Sequence, residues 1–253
     1  MRIIRFSKGG KTRYGVEEGG KVRILRGSPF NRLTFDGTVL DVSEVRLLAP
    51  CTPSKIVCLG LNYRSHAAET GLPIPKVPLI FLKPSTAVIG PGEHIVLPRG
   101  TKRTDYEGEL GVVMGRKAKE ITEKEASDCI LGYTCFNDVT ERHNQREDGQ
   151  WTRAKGYDTF APLGPYIETE VSPDDLKIET CLNGKICQSC RTSDLIFSIL
   201  RIVTFISGVM TLLPGDVIAT GTPSGIGRLQ AGDFVEICIE SIGTLGNPVR
   251  NLP

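Results

Sequence analysis

Apolar and polar residues alternate over short stretches along most of the chain, which predicts β-strands. Residues 1 to about 48 carry three such stretches, RIIRF, TRYGVEE and VRIL, separated by glycine pairs. This spacing is typical of β-hairpins. From Lys55 onward we predict nine further strands, in the segments KIVCLGL, PLIFLKP, HIVLP, ELGVVMG, GYTCFND, GPYIET, KIETCLNG, DVIATG and DFVEICIES.

Helical signals are limited to three segments. The first follows Asn62, an acceptable N-cap, and runs through YRSHAAET to Gly71. The second begins with the capping-box pattern Thr122-x-x-Glu125 and runs through EASDCIL. The third is predicted to start at residue 192 or 193. Its apolar residues at helical spacing are Leu195, Ile199, Ile202, Val203 and Ile206.

The predicted strands outnumber the helices and do not alternate with them, which argues against Rossmann and TIM architectures. We therefore expect an α+β fold that is mainly β, with few short helices. The two prolines in LLAPCTPSK interrupt the strand pattern and indicate a domain boundary near residues 49–54. The predicted organisation is a small N-terminal β domain, residues 1–50, followed by a larger domain, residues 54–253.

Composition narrows the class of partner. The 253 residues include 31 Lys and Arg against 29 Asp and Glu, so charge gives no reason to expect nucleic acid or an anionic membrane. The N-terminal segment lacks the apolar core of an export signal. The longest apolar stretch is interrupted by Arg201, Ser207 and Gly208, which fits a buried helix better than a membrane span. We expect a cytoplasmic protein with a small-molecule partner.

The eight cysteines do not follow a zinc or disulfide pattern. Only Cys187 and Cys190 form a C-x-x-C, and no second pair at zinc-ribbon spacing completes four ligands. We interpret the cysteines as reduced core thiols, with a redox role for the CQSC segment as the alternative.

Acidic residues occur at alternate positions in RTDYEGELGVVMG, residues 103–115. In a strand, Asp105, Glu107 and Glu109 would share one side, opposite the apolar residues that follow. Two carboxylates about 6 Å apart repel by roughly 3 kcal/mol at an effective dielectric constant of about 20, and by well under 1 kcal/mol in water. The segment is therefore either a solvated strand face or part of a site for a divalent cation, which prefers oxygen ligands.

A second acidic element is GYTCFNDVTERHNQ, whose strand-like part ends at Asp138 before a polar loop. Functional groups are commonly displayed where strands open into loops. Glu107, Glu109 and Asp138 would supply three carboxylates to a hard cation, and Asp105 would be an outer partner.

Other candidates have ordinary alternatives. On a helix, His66 and Glu69 would be neighbours, either as a base with its orienting carboxylate or as a surface pair. The segment TGLPIPKVP that follows makes this helix a candidate lid. Lys155 lies in a polar loop, where it could meet developing negative charge or simply be solvated. ATGTPSGIGRL is a turn whose amides and Thr222 hydroxyl could line a pocket.

Taken in order, these segments resemble the fumarylacetoacetate hydrolase family. The likeness covers about residues 54–250, and residues before it resemble a small extra domain that many bacterial and archaeal members carry. The motifs that carry it are KIVCLGLNYRSHAAE, FLKPSTAVIGPG, DYEGELGVV, GYTCFNDVTERHNQ, WTRAKGYDTFAPLGP, LNGKICQ, TSDLIFSI and PGDVIATGTPSGIG.

The resemblance implies a mixed β-sandwich roll, usually a homodimer, that binds Mg²⁺, with Mn²⁺ or Ca²⁺ as alternatives. The ion would be held by Glu107, Glu109 and Asp138. The family's water-activating pair and its lysine match His66, Glu69 and Lys155. Its substrate-contacting residues match Arg142, Gln145 and Thr222.

One departure bears on the substrate. The hydrolase that names the family has a further acidic metal ligand shortly before its histidine, whereas VCLGLNY offers no carboxylate. The sequence is thus closer to the short branch of acylpyruvases, oxaloacetate decarboxylases and 2-hydroxyhepta-2,4-diene-1,7-dioate isomerases.

From this we expect a metal-dependent hydrolase that cleaves a carbon–carbon bond in an acylpyruvate-type 2-oxo acid through an enolate. His66, oriented by Glu69, would activate water, and Lys155 would stabilise the enolate together with the ion. An isomerase or a decarboxylase would use the same site. A non-catalytic oxo-acid-binding protein with a structural ion is the alternative from a different class.

Overall fold

The computed structural model of the protein describes residues 1–252. Strands predominate, and the prediction of an α+β, mainly β fold is confirmed. Each of the nine segments predicted as strands after Lys55 contains one. The strands are β1 Arg2–Lys8, β2 Lys11–Glu18, β3 Lys21–Leu25, β4 Phe35–Asp41, β5 Arg46–Leu48, β6 Ile56–Leu59, β7 Ile80–Lys83, β8 Val88–Ile89, β9 Ile95–Leu97, β10 Thr104–Tyr106, β11 Gly108–Met114, β12 Ile130–Asn137, β13 Thr140–Glu141, β14 Ala161–Glu168, β15 Lys177–Leu182, β16 Lys185–Arg191, β17 Val217–Ala219, β18 Gly227–Arg228, β19 Phe234–Ile239 and β20 Gly243–Asn251.

The strands form three sheets of mixed direction. Twelve strands make the largest sheet, in the order β4-β3-β2-β1-β14-β12-β11-β17-β6-β7, with β5 beside β1 and β8 beside β14. A five-stranded sheet has the order β16-β15-β19-β20-β9, and a three-stranded sheet the order β13-β10-β18. The pairs β17/β6, β14/β8 and β20/β9 are parallel, and the other pairs are antiparallel.

The N-terminal hairpins form as predicted. β1, β2 and β3 pair in antiparallel order, and the glycine pairs Gly9-Gly10 and Gly19-Gly20 make the turns with positive φ at all four residues. Such turns match the twist of the strands that they join. β1 also pairs with β14, so these strands extend the largest sheet. The division into domains 1–50 and 54–253 stays a prediction.

Five α-helices lie within residues 1–252: α1 Arg64–Thr70, α2 Glu123–Cys129, α3 Arg142–Glu147, α4 Thr152–Lys155 and α5 Ile199–Val209. The capping box of Thr122 and Glu125 and the left-handed C-cap Gly71 are confirmed. α3 and α4 were not predicted, because both are short and polar and lack an apolar period. All five helices are too short or too polar to cross a lipid bilayer.

Two predicted helix starts were wrong. Asn62 does not cap α1; its buried amide donates to the Thr220 carbonyl at 2.7 Å and accepts from the Phe197 amide at 2.9 Å. The helix predicted from residue 192 or 193 begins instead at Ile199, where the Ser198 hydroxyl accepts from the Arg201 amide. A 3₁₀ turn occupies Thr192–Asp194.

The main core lies between the largest sheet, the five-stranded sheet and helices α2 and α5. Its members include residues 110, 112 and 114 of β11 with residues 202, 203 and 206 of α5. Val113, on the other face of β11, belongs to a second buried cluster. Because both faces of β11 are covered, this strand cannot present a solvated face.

The cysteines are all free, and four of them are buried: Cys51, Cys58, Cys129 and Cys135. Cys187 and Cys190 both lie in β16, beside an irregularity in its pairing with β15, and their thiols have different partners. Cys187 Sγ lies 3.4 Å from the Lys185 carbonyl, and Cys190 Sγ lies 3.8 Å from the Ser65 hydroxyl and 3.7 Å from Asp194 Oδ2. A redox role for the CQSC segment stays a prediction.

Asp216 joins the start of the larger predicted domain to the loop before β17. Its carboxylate is fully buried and accepts hydrogen bonds from the Ser54 hydroxyl at 2.6 Å, from the Leu213 amide at 2.8 Å and from the Lys55 ammonium at 2.5 Å. The backbone amides of Ser54 and Lys55 also donate to it. Few neutral side chains could satisfy so many donors.

We predict that Asp216→Asn lowers the free energy of unfolding by about 3 kcal/mol, because a buried carboxylate with a charged partner is replaced by an amide that places donors against donors. Urea unfolding measures this. The control is Glu18→Gln, at an exposed position without an ion pair within residues 1–252, where a change below about 0.5 kcal/mol is expected. Equal midpoints for wild type and Asp216→Asn would contradict the prediction.

Candidate metal centre and active-site cleft

Glu107, Glu109 and Asp138 form a compact cluster of carboxylates. One oxygen atom from each lies within 4.8 Å of the others, and all three residues are buried. The pairing of β11 with β12 explains the proximity, since Gly108 pairs with Asn137 and the Asp138 amide donates to the Glu107 carbonyl at 2.9 Å. The interpretation of this segment as a solvated strand face was therefore wrong.

Asp105 lies apart from the cluster because the predicted continuous strand is interrupted at Glu107. β10 belongs to the three-stranded sheet and β11 to the largest sheet. The buried Asp105 carboxylate accepts two hydrogen bonds from Arg103, at 2.9 and 3.1 Å, and one from Arg142 Nε at 2.9 Å. Arg142, which also donates to Glu107, therefore links Asp105 to the cluster.

The surroundings of Glu109 fit a divalent cation. Its carboxylate accepts from the Gly221 amide at 2.8 Å, and within residues 1–252 it has no ion pair with a lysine or arginine. Burial, together with the charges of Asp138 and Glu107, raises the pKa of Glu109 well above its usual value. The three carboxylates offer hard oxygen ligands, and Glu109 among them has no cationic side chain paired with it. Such a set of ligands suits Mg²⁺, Mn²⁺ or Ca²⁺.

Two buried lysines balance the other carboxylates. The Lys155 ammonium donates to Glu107 at 2.9 Å and to Asp138 at 2.5 Å, and the Lys83 ammonium donates to the second oxygen of Asp138 at 2.6 Å. Burial lowers the pKa of Lys83 despite Asp138. Although burial opposes it, the attraction of Asp138 and Glu107 raises the pKa of Lys155.

Lys83 was not predicted as a site residue from the sequence. The only local signal was a single lysine inside the otherwise apolar run PLIFLKP.

Lys155 was predicted to lie in a polar loop, but it ends α4 and is buried. Its ammonium also lies 4.9 Å from the ring centre of Phe81.

Arg142, at the start of α3, connects the carboxylates to the predicted substrate residues. Besides Asp105, its guanidinium donates to Glu107 and, at 2.9 Å, to Gln145 Oε1. Burial alone would raise the pKa of Glu107, but the charges of Arg142 and Lys155 lower it to about 2. A guanidinium carries five N–H donors, so two remain for a ligand after these contacts.

His66 and Glu69 pair on α1 as predicted. His66 Nδ1 donates to Glu69 Oε2 at 2.7 Å, and the second oxygen of Glu69 accepts from the Gly225 amide at 2.9 Å. The Gly225 contact ties the pair to the glycine-rich loop, so the orientation of Glu69 is set by tertiary structure. The outer nitrogen of His66, Nε2, is left to act as an acceptor.

These groups meet in one cavity of about 710 Å³. Glu69 and Asp138 are not part of its lining, but each contacts a residue that is, His66 and Lys155 respectively. The predicted site residues in the lining are His66, Glu107, Glu109, Arg142, Gln145, Lys155 and Thr222. Apolar side chains form much of the remaining wall: Leu59, Leu61, Leu72, Leu79, Phe81, Trp151 and Ile226.

Thr222 accepts a hydrogen bond from Gln188, a residue that was not predicted to belong to the site. The Thr222 hydroxyl donates to the Gly108 carbonyl and accepts from Gln188 Nε2, both at 2.9 Å. Gln188 Oε1 in turn accepts from the Gly108 amide at 3.0 Å. Because its proton is already committed, Thr222 can only accept a hydrogen bond from a ligand. The motif LNGKICQ contained Gln188, but not the long-range partners that reveal its position.

Comparisons with known proteins agree with this arrangement. The family profile described as Fumarylacetoacetate (FAA) hydrolase C-terminal matches residues 55–250, and the profile described as Rv2993c-like, N-terminal matches residues 1–50. An uncharacterised protein of Archaeoglobus fulgidus is 55% identical over 215 residues, which cover 85% of this chain and 86% of that protein.

Relatives with named activities include both hydrolases and isomerases. A 2,4-didehydro-3-deoxy-L-rhamnonate hydrolase of Sphingomonas is 38% identical over 269 residues, covering 96% of this chain and 94% of that protein. The solved structure of 2-hydroxyhepta-2,4-diene-1,7-dioate isomerase from Mycobacterium marinum has a TM-score of 0.93 and 46% identity, covering 99% of this chain and 98% of that one. These matches confirm the resemblance: the chain belongs to the fumarylacetoacetate hydrolase family of enzymes.

Proposed function

We propose that the protein is a divalent-metal-dependent hydrolase that cleaves a carbon–carbon bond in an acylpyruvate-type 2-oxo acid. The observation that carries the proposal is the convergence of the carboxylate cluster, Lys155 and the His66–Glu69 pair on one cavity. Glu107, Glu109 and Asp138 would hold the ion. When bound, the ion supplies Lewis acidity for a 2-oxo group and for the charge of an enolate.

His66 would act as the general base. Its Nδ1–H bond to Glu69 fixes the tautomer and stabilises the imidazolium that forms when Nε2 takes a proton from water. The Gly225 amide holds Glu69 during that step. The activated water would attack the distal carbonyl carbon, and the bond between that carbon and the pyruvate unit would break.

Lys155 and Arg142 would stabilise negative charge on the pyruvate unit. Lys155 is buried and charged, so its ammonium is a fixed cation beside the reacting group. The two free N–H donors of Arg142 suit a substrate carboxylate, and Gln145 orients the guanidinium at 2.9 Å. Mg²⁺ as the ion, Thr222 as a substrate contact and a homodimeric assembly complete the proposal.

An isomerase is the second candidate, favoured by the similarity to the isomerase structure from Mycobacterium marinum. In that reaction His66 would accept the proton of the substrate's 2-hydroxyl group and return it to a carbon atom of the chain, instead of activating water. Decarboxylation of oxaloacetate would pass through the same enolate. Product analysis with acetylpyruvate, fumarylpyruvate, oxaloacetate and 2-hydroxyhepta-2,4-dienedioate separates the three reactions.

We predict that His66→Ala lowers kcat on acylpyruvates by about 10²- to 10⁴-fold, since general base catalysis is lost. Mg²⁺ binding, measured by calorimetry, should be unchanged. His94→Ala, at an exposed position outside the cavity lining, is the matched control and should keep full activity. Full turnover of every acylpyruvate by His66→Ala would refute water activation by this residue. Retention of oxaloacetate decarboxylation alone would favour the decarboxylase.

We predict that Glu109→Gln raises the melting temperature of the metal-free protein by roughly 2–4 °C, because about 1 kcal/mol of buried charge repulsion is removed. The same change should abolish the further rise in melting temperature that Mg²⁺ produces in the wild type. Calorimetry with EDTA and then with Mg²⁺ measures both effects. Glu123→Gln, at an exposed position of α2, should respond to Mg²⁺ as the wild type does. An undiminished Mg²⁺ response in Glu109→Gln would count against the proposed ligand set.

We predict that Asp105→Asn raises KM about tenfold with a smaller effect on kcat, because Arg142 loses the buried carboxylate that orients it. Steady-state kinetics with the best substrate of the panel measures the split. Asp36→Asn, remote in β4, is the control. A fall in kcat without a change in KM would assign Asp105 to the chemical step instead.

A further inference from the structure

Charge balance in the cavity bears on the substrate class, given the proposed function. Five cationic side chains line the cavity or contact its carboxylates: Lys83, Lys155, Arg103, Arg142 and Arg146. Five carboxylates accompany them: Glu69, Asp105, Glu107, Glu109 and Asp138. These charges cancel, so a divalent ion would leave an excess of two positive charges. A dianionic substrate would neutralise that excess, whereas a monoanion would not.

The arginines differ in how fully they are paired. Arg103 donates twice to Asp105, and Arg142 donates to two carboxylates and to Gln145. Arg146 donates through Nε to the Arg142 carbonyl at 3.2 Å and has no ion pair with a carboxylate within residues 1–252. Its guanidinium is therefore the cation of the cavity that is most available to a second anionic group.

Helix geometry directs Arg146 to the cavity. Arg142, Gln145 and Arg146 occupy positions i, i+3 and i+4 of α3, which lie on one face of a helix. All three line the cavity. Arg142 is largely buried beside the carboxylate cluster, whereas Arg146 is exposed, so it lies nearer the solvent end. Phe81 and Trp151, in edge-to-face contact at 5.1 Å, are part of the apolar wall.

We propose that Arg146 binds the second carboxylate of a dianionic 2-oxo acid and so selects diacids over monoacids. The oxo-acid end of the ligand would lie at the carboxylate cluster, its carbon chain against the apolar wall, and its distal carboxylate at the guanidinium. This inference rests on the proposed function for the position of the oxo-acid end. It assigns to Arg146 a role in specificity, not in the chemical step.

Binding of matched unreactive acids tests the inference independently of turnover. The diacids are 2-oxoglutarate, 2-oxoadipate and 2-oxopimelate, and each has a monoacid of equal chain length: 2-oxopentanoate, 2-oxohexanoate and 2-oxoheptanoate. Calorimetry with saturating Mg²⁺ gives the ratio of monoacid to diacid Kd for each length. We expect a ratio of about two to five at the length that reaches Arg146, as for a solvent-accessible ion pair.

Variants of Arg146 should change this ratio while monoacid binding stays constant. Arg146→Gln should bring the ratio to about one, Arg146→Lys should restore part of it, and Arg146→Glu should invert it. Arg153→Gln, which removes an exposed arginine paired with Asp148 outside the cavity lining, should keep the wild-type ratio.

The possible failures are distinguishable. Equal Kd values for diacids and monoacids in the wild type, or an unchanged ratio in Arg146→Gln, would overturn the role of Arg146 and leave the proposed function intact. If neither class of acid bound in the presence of Mg²⁺, the proposed function itself would be wrong, and the inference would fall with it.

Discussion

Mutual repulsion among three buried carboxylates is the constraint on which the site depends. With one oxygen of each within 4.8 Å of the others, Glu107, Glu109 and Asp138 could not remain ionised together in a low-dielectric interior without nearby positive charge. Lys83, Lys155 and Arg142 supply part of that charge. Glu109 receives none directly, and it is there that a divalent cation would contribute most.

The surrounding fold brings these opposite charges together from distant parts of the chain. The register of β11 against β12 places Asp138 beside Glu107, and β7 carries Lys83 into contact with Asp138. Arg142 at the start of α3 and Lys155 at the end of α4 contact carboxylates of the cluster. Gly221, at φ +97°, comes so close to Asn62 that a Cβ there would lie 2.8 Å from the Asn62 Cβ; its amide can thereby reach Glu109. Ion pairs and close backbone packing therefore both hold the carboxylate cluster in place.

The arrangement also explains why one family contains hydrolases and isomerases. Under the proposed function, Lys155 and an ion held by the carboxylate cluster would stabilise negative charge on a 2-oxo acid unit, whatever the next step is. The His66–Glu69 pair is carried by a different element, α1, and is held in place through the Gly225 amide. Whether the base contacts water or the substrate would then separate hydrolysis from isomerisation.

Local pattern in the sequence determined twelve of the twenty strands of residues 1–252, the glycine hairpins, the capping box of α2 and the identity of the family, because alternation, turn residues and motif order are short-range properties. Burial of the acidic residues, the interruption at Glu107 and the start of α5 at Ile199 depended on tertiary structure. The roles of Lys83 and Gln188 in the site could be recognised only from the tertiary structure. Their partners lie tens of residues away, Asp138 from Lys83 and Gly108 from Gln188. No periodicity within a single segment can encode such a contact, since it is set by how the sheets pack.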